Sequence, residues 1–353
     1  MSRPPRGRGA LSNPANRFAP SRSEIDPVAD GELPARIDTV QINERPRTII
    51  SRNRSPDVPF EQSINPYRGC EHGCIYCYAR PSHAYWDLSP GLDFETRIIC
   101  KEGAAERLEQ ELRAKNYRCK PITLGANTDP YQPLEQQRRI TRELLEVLAR
   151  YRHPVTIITK GALITRDLDI LSDMARQQLC SVMISMTTLD PELKRTLEPR
   201  AAGPRTRLNA IRELTAAGVP VGVLVAPLIP MINDRELEAI LSACAEAGAR
   251  NAGYVFIRLP QEVKGLFREW LDAHYPDRAE HVMSLIRQSR NGQENDSRFG
   301  KRMRGEGQFA EMIAQRFRLA QRKYGLEQRH GLRLRTDLFS VPPRAGDQLA
   351  LFG

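Results

Sequence analysis

The stretch Gly69-Cys70-Glu71-His72-Gly73-Cys74-Ile75-Tyr76-Cys77-Tyr78 carries three cysteines with the spacing C-x3-C-x2-C. Protein thiolates ligate iron–sulfur clusters, ordinarily four to a cluster. A run of three, with no fourth Cys beside it, leaves one iron of a [4Fe–4S] cluster open to another ligand. Zinc held by the three thiolates and His72 or His83 is an alternative, since Cys3His is a common structural set. Disulfides do not account for the motif: 7 Cys is an odd count, and no secretory apolar run is visible, so a reducing cytoplasm is the expected location. Cys100, Cys119, Cys180 and Cys244 are scattered through helix and strand patterns, where a free Cys serves as a small buried hydrophobe.

Elements that could position such a loop follow it in regular alternation. Helical periodicity over 104–115, 139–151, 166–178 and 205–217 alternates with strand-type runs at 121–125, 155–159, 181–186, 221–226 and 253–258. Gly218 is expected to end one helix, and Asp234 to cap another that stops at Gly248. With Ile64–Arg68 this makes six strands, and strands alternating with helices imply a parallel sheet with right-handed crossovers. Chemistry in such folds lies at the carboxyl ends of the strands.

Residues 1–58 are rich in Arg and Pro, poor in apolar content and expected to be mostly disordered. A barrel-type domain is assigned to 59–262, a helical basic extension to 263–335 and a flexible tail to 336–353. No apolar run reaches the roughly 20 residues of a membrane span, so no membrane partner is expected. The net charge of +10 is concentrated in two segments: +5 over residues 1–22 and +8 over 287–335, with −3 elsewhere. Such clustering suits a polyanion, and the Gly-punctuated Lys301/Arg302/Arg304 loop is the part expected to meet phosphates. The helix over 308–324 presents Phe309, Met312, Ile313, Phe317, Ala320 and Tyr324 on one side, a face suited to the open edge of the barrel.

The cysteine spacing, with aromatic Tyr76 before Cys77, resembles the signature of the radical S-adenosylmethionine (SAM) superfamily. That resemblance implies a (βα)6 partial TIM barrel and a [4Fe–4S] cluster on Cys70, Cys74 and Cys77 whose open iron is chelated by SAM. It also implies an external electron donor and cleavage of SAM to a 5′-deoxyadenosyl radical. Tyr76 would lie near the adenine. Gly125, Asn127, Thr128 and Asp129 would face the methionyl amino group, and Lys160, Arg200 and Arg205 its carboxylate. Ser185 and Thr187 would face the ribose, and Gly222, Val223 and Val225 the adenine pocket. For the Asn127–Asp129 run an ordinary Pro-rich turn, and for the fifth strand plain barrel core, remain alternatives.

Asn65-Pro66-Tyr67, Cys77-Tyr78-Ala79-Arg80, Thr128-Asp129-Pro130-Tyr131-Gln132-Pro133 and Leu197-Glu198-Pro199-Arg200 together resemble the branch similar to spore photoproduct lyase, the DNA repair photolyase-like proteins. Residues 60–330 carry this resemblance, and it implies lyase-like DNA repair chemistry. In the lyase a cysteine just before the Thr/Ser-Asp element returns hydrogen to the product radical, whereas Ala126 and Asn127 stand here. A small-molecule or protein substrate, and a non-catalytic Fe–S or zinc protein that binds nucleic acid, are the competing readings. The run Gln348-Leu349-Ala350-Leu351-Phe352 resembles the peptide by which bacterial repair proteins dock on a sliding clamp, with Gln348, Leu349, Leu351 and Phe352 as anchors. An apolar fold-back onto the protein itself is its alternative.

Overall fold

A computed structural model describes residues 7–18, 37–327 and 333–343. Its main sheet holds six parallel strands: β1 (Gln62–Ile64), β2 (Ile122–Leu124), β3 (Val155–Thr159), β4 (Cys180–Ser185), β5 (Val221–Leu228) and β6 (Asn251–Phe256). They pair in sequence order, with Ser51–Arg52 antiparallel outside β1. Register runs from Gln62 opposite Ile122, through Ile122 opposite Val155 and Val155 opposite Cys180, to Val182 opposite Val221 and Gly222 opposite Asn251. Each of the first five strands is followed by a helix: α1 (Ala104–Leu112), α2 (Ile140–Arg150), α3 (Leu168–Arg176), α4 (Pro204–Ala216) and α5 (Leu237–Glu246). This is the expected (βα)6 partial barrel, with β6 and Ser51–Arg52 at its two edges among the described residues.

Local chemistry explains the elements. β3 reads Val-Thr-Ile-Ile-Thr, β-branched throughout. In α2 Ile140, Leu144, Leu145 and Leu148 are buried along one face. Gly218 takes φ +78° just past α4, as a C′ residue should. Asp234 does not cap α5: it lies in a short 3-10 turn, Asp234–Glu236, that precedes the helix. Asn233 takes over the local hydrogen bonding there, accepting from Ile229 N at 2.7 Å and donating to the carbonyls of Thr187 and Pro227.

The C-terminal extension adds α6 (Val263–His274), α7 (Ala279–Gln288) and α8 (Gly307–Lys323). The first two build a second core around Phe267, Trp270, Val282 and Ile286. α8 packs on α5 and on edge strand β6, with Phe317 4.7 Å from the Tyr254 ring. Met312, expected on that face, is 41% exposed.

Two stretches expected to lack order are packed where they are described. Arg8 and Ala10 are buried against the cysteine loop, because Arg8 finds backbone carbonyls and Gly9 admits close approach. In the tail, Phe339 lies against Tyr117, Tyr151 and His153 beside the amino ends of β2 and β3, and Arg113 bonds the Pro342 carbonyl. Gln348, Leu349, Leu351 and Phe352 lie outside the described residues.

Candidate active site

The cysteine loop follows β1 at the carboxyl end of the sheet. Three successive turns close on cysteine carbonyls: Gly73 N donates to Cys70 O, Cys77 N to Cys74 O and Arg80 N to Cys77 O, all at 3.2–3.3 Å. Cys70 and Cys74 are buried and Cys77 half-buried. Burial pushes all three thiols up, Cys74 to about 12. Asp129 and then the other two thiols raise Cys70 further. Such a trio ionises only against strong positive charge, which metal coordination supplies, and the donor set fits a thiolate-bound cluster. For the zinc alternative, each candidate histidine has one ring nitrogen already engaged. His72 Nδ1 is 3.3 Å from Asp129 Oδ2, and His83 Nε2 is 3.0 Å from Arg97 O. Among the described residues no three His, Cys, Asp or Glu side chains are set to hold a single ion.

One wall of the loop is fastened by Arg80 and Glu95, both fully buried. Arg80 donates to Cys74 O (3.0 Å), Pro90 O (3.1 Å), Gly91 O (2.9 Å) and Glu95 Oε1 (2.5 Å). Glu95 also accepts from Gly9 N and Ala10 N, each at 2.9 Å. A Cβ on Gly9 would stand 1.9 Å from Gly73 O, so only glycine fits this crossing. Arg8 continues the strap to Glu95 O, Ile37 O and Thr39 Oγ1, and Thr39 donates to Glu71.

The loop after β2 is a second clasp. Gly125 has φ +87°, and a Cβ there would stand 2.1 Å from Ile158 O. Asn65 Oδ1 accepts from Asn127 N and Thr128 N, and Thr128 Oγ1 donates to Tyr67 O. Asp129 is held to about 2, although burial alone would raise it. His72, the Thr159 hydroxyl (2.6 Å) and Lys160 N (2.7 Å) outweigh that burial. Gln132 accepts from Glu71 N and donates to Gly69 O, tying this loop to the cysteines. Glu135 is buried among Tyr67, Thr141 and Arg166. Thr128 and Asp129, expected to face a ligand, therefore spend their polar atoms on the scaffold. The Asn127 side chain remains uncommitted among the described residues.

Across the carboxyl ends of β3–β5 lies a buried polar cluster. Glu198 accepts from the Tyr76 hydroxyl, from Thr187 Oγ1 at 2.5 Å and from Arg207. Burial opposes its charge, but Arg207, Lys160 and those hydroxyls hold it at about 2. Lys160 Nζ lies 5.7 Å from the Tyr76 ring. Burial pushes Lys160 down, yet Cys74 and Glu198 hold it above its ordinary value. No described residue forms an ion pair with it. Ser185 is buried, its carbonyl accepting from Arg207 Nη1 at 2.9 Å. Val223 and Val225 are fully buried core, and a Cβ at Gly222 would meet Met183 Sδ at 2.5 Å.

Of the two arginines expected near a carboxylate ligand, Arg200 pairs with Glu71 at 3.0 Å and Arg205 is exposed on the first turn of α4. Arg207, unforeseen, is the buried one. Its signal was available, because Arg207, Ala210, Ile211 and Leu214 share one buried helical face that Arg205 is off. In the basic loop, Lys301 pairs with Glu306 at 2.7 Å and Arg302 with Asp57 at 2.5 Å, while Arg304 is exposed.

The family model of the Radical SAM superfamily matches residues 64–244. An uncharacterized protein of Mycobacterium tuberculosis (strain ATCC 25618 / H37Rv) is 36% identical over 278 residues, 74% of this chain and 82% of that one. An uncharacterized protein of Methanocaldococcus jannaschii is 25% identical over 220 residues, 62% and 78% of the two chains. The structure of spore photoproduct lyase complexed with dinucleoside spore photoproduct superposes with a TM-score of 0.57 at 15% identity, covering 80% of this chain and 79% of that chain, a likeness of fold. With the cysteine loop at the carboxyl end of a (βα)6 sheet, these matches place the chain in the radical SAM superfamily.

Proposed function

We propose that Cys70, Cys74 and Cys77 hold the [4Fe–4S] cluster that superfamily membership implies, and that this cytoplasmic enzyme acts on nucleic acid in a repair-like reaction. The carrying observation is the loop of three cysteines, two buried and one half-buried, fastened at the open end of the barrel. Bound there, the cluster would supply the electron that splits SAM and so furnish a 5′-deoxyadenosyl radical to abstract a substrate hydrogen. Lys160, without an ion-pair partner among the described residues and set between Tyr76 and Glu198, is available to a carboxylate, and Asn127 to an ammonium group. Glu198 and Arg207 keep the Tyr76 hydroxyl and Thr187 in place.

A nucleic-acid substrate is supported by the +8 segment at 287–335 and by the lyase fold, which in its solved complex holds a dinucleoside photoproduct. The reaction differs from the lyase's. Cys180 opens β4 at its amino end, Cys244 lies in α5, Cys119 precedes β2 and Cys100 is buried in the strand Arg97–Lys101, while Ala126 and Asn127 stand just before Thr128-Asp129, so none of the four takes the place of the lyase's hydrogen-returning thiol in this proposal. Gln348, Leu349, Leu351 and Phe352 are proposed to dock on a sliding clamp. Competition by a synthetic 344–353 peptide with other clamp ligands tests that contact.

Anaerobic reconstitution tests the enzyme reading. Dithionite-dependent 5′-deoxyadenosine, stimulated by oligonucleotide and lost with Cys70→Ala, Cys74→Ala or Cys77→Ala, is expected. Protein holding one zinc and no iron would overturn it.

A further inference from the structure

Beyond the carboxyl end of β6 the chain carries a cation that the fold does not neutralise. Arg258 lies two residues past Phe256, and its guanidinium stacks on the Tyr78 ring at 5.3 Å, directly after Cys77. Its Nε is buried with no hydrogen-bond acceptor among the described residues, and its Nη1 meets only Met303 Sδ, at 3.7 Å. No described carboxylate pairs with it. Asp57, the one acid among the described residues whose charge reaches it, already accepts from Arg302 Nε and from Gly300 N at 2.6 Å. Arg302 is close enough to repel it.

The surroundings are built. Arg290, fully buried, donates to Lys301 O, Arg302 O, Phe256 O and Ile257 O, and Phe256 N donates to Met303 O at 2.8 Å. These bonds pin the basic loop to the end of β6. They leave two aromatic faces open beside the cations: Tyr78, 46% exposed, and Phe299, 60% exposed, with Arg302 4.8 Å over its ring. A partly buried guanidinium without a counter-ion is costly, and the cost falls when a ligand brings the anion. Exposed aromatic rings beside arginines are the parts with which proteins hold unpaired bases and the phosphates between them.

We propose that Arg258, stacked on Tyr78, receives a backbone phosphodiester of a single-stranded or locally unpaired nucleic acid, while Phe299 stacks an adjoining base. Placed against the residue after Cys77, this subsite would present the neighbouring nucleotide to the cluster. The inference rests on the nucleic-acid reading above and assigns that substrate a point of contact.

The test uses the full chain, reconstituted anaerobically, and a fluorescein-labelled single-stranded oligodeoxynucleotide followed by anisotropy across a salt series. Arg258→Gln is expected to weaken binding about tenfold and to flatten the log–log salt slope by about 0.7. Phe299→Ala is expected to weaken it about fivefold with the slope unchanged. The melting temperature of Arg258→Met should hold or rise, since an unpaired charge has been removed, whereas a structural arginine would lower it. Wild-type binding with unaltered affinity and slope in Arg258→Gln overturns the subsite and leaves the nucleic-acid reading standing. An acidic peptide that needs Arg258 when the oligonucleotide does not overturns the phosphodiester assignment. Absence of oligonucleotide binding by the wild type overturns the nucleic-acid reading itself, and the subsite with it.

Discussion

Arg80, three residues after Cys77, and Arg258, stacked on the residue after Cys77, are both drawn in around the same loop, yet their donors are treated in opposite ways. Arg80 is fully buried and spends its guanidinium on three carbonyls at Nε and Nη1 and on the Glu95 carboxylate at Nη2. Arg258 has a buried Nε without an acceptor and no carboxylate at all among the described residues. Buried polar groups in folded proteins are almost always satisfied, so the first arginine belongs to the scaffold, while the second, which unlike Arg290 reaches no carbonyl among the described residues, is the one proposed to receive a ligand. The same division sorts the expected SAM-facing residues. Thr128 and Asp129 are saturated by protein atoms, whereas the side chains of Asn127 and Lys160 have no hydrogen-bond or ion-pair partner among the described residues.

The saturated side should break hardest. Glu95→Ala strands the buried Arg80 guanidinium and two strap amides, a loss of about 3–5 kcal/mol by denaturant unfolding. A loss under 1 kcal/mol would mean that this wall is not a scaffold. Glu198→Gln weakens the Arg207 contact by about 1.5–3 kcal/mol and alters the acid response. Glu198 sits at about 2 when folded, below its ordinary 4.5. The unfolded chain therefore binds the proton first. The carboxylate's stabilisation is whole above pH 4.5 and fades as pH falls towards 2. Wild-type melting temperature should drop more steeply than that of Glu198→Gln across this window, and parallel curves would refute the assignment.

Gly9→Val drives a side chain into the Gly73 carbonyl and should cost about 1–3 kcal/mol. It should also speed alkylation of Cys70, Cys74 and Cys77 in the metal-free protein as the strap lifts; unchanged thiol reactivity would limit the strap to a surface role. The smallest effect is expected at Lys301→Ala. Its ion pair with Glu306 is half exposed, so stability should change by less than about 1 kcal/mol, and oligonucleotide affinity should fall mainly at low salt.

Much of the site was legible in the chain because it is local. Three thiols within eight residues need only a tight loop to cooperate, and the alternation of strand and helix follows from short-range periodicity. Arg205 and Arg207 illustrate the limit. Both follow the Glu198-Pro199 turn, and position relative to that turn does not separate them; the phase of α4, shared with Ala210, Ile211 and Leu214, turns Arg207 inward. The extension expected to be disordered marks it more sharply, since Arg8 and Glu95 are 87 residues apart and neither announces the other.

The amino-acid sequence by itself determined where the three closely spaced thiols lie, the order of the barrel elements and where positive charge accumulates, since residue type and near spacing suffice for each. Only the tertiary structure decided that Asp129 and Gln132 are clasps, that the Arg8–Ala10 strap closes over the loop, and that Arg258 is left without a carboxylate partner among the described residues. The physical reason is that hydrogen-bond saturation is settled between segments far apart in the chain, after the barrel has brought them together.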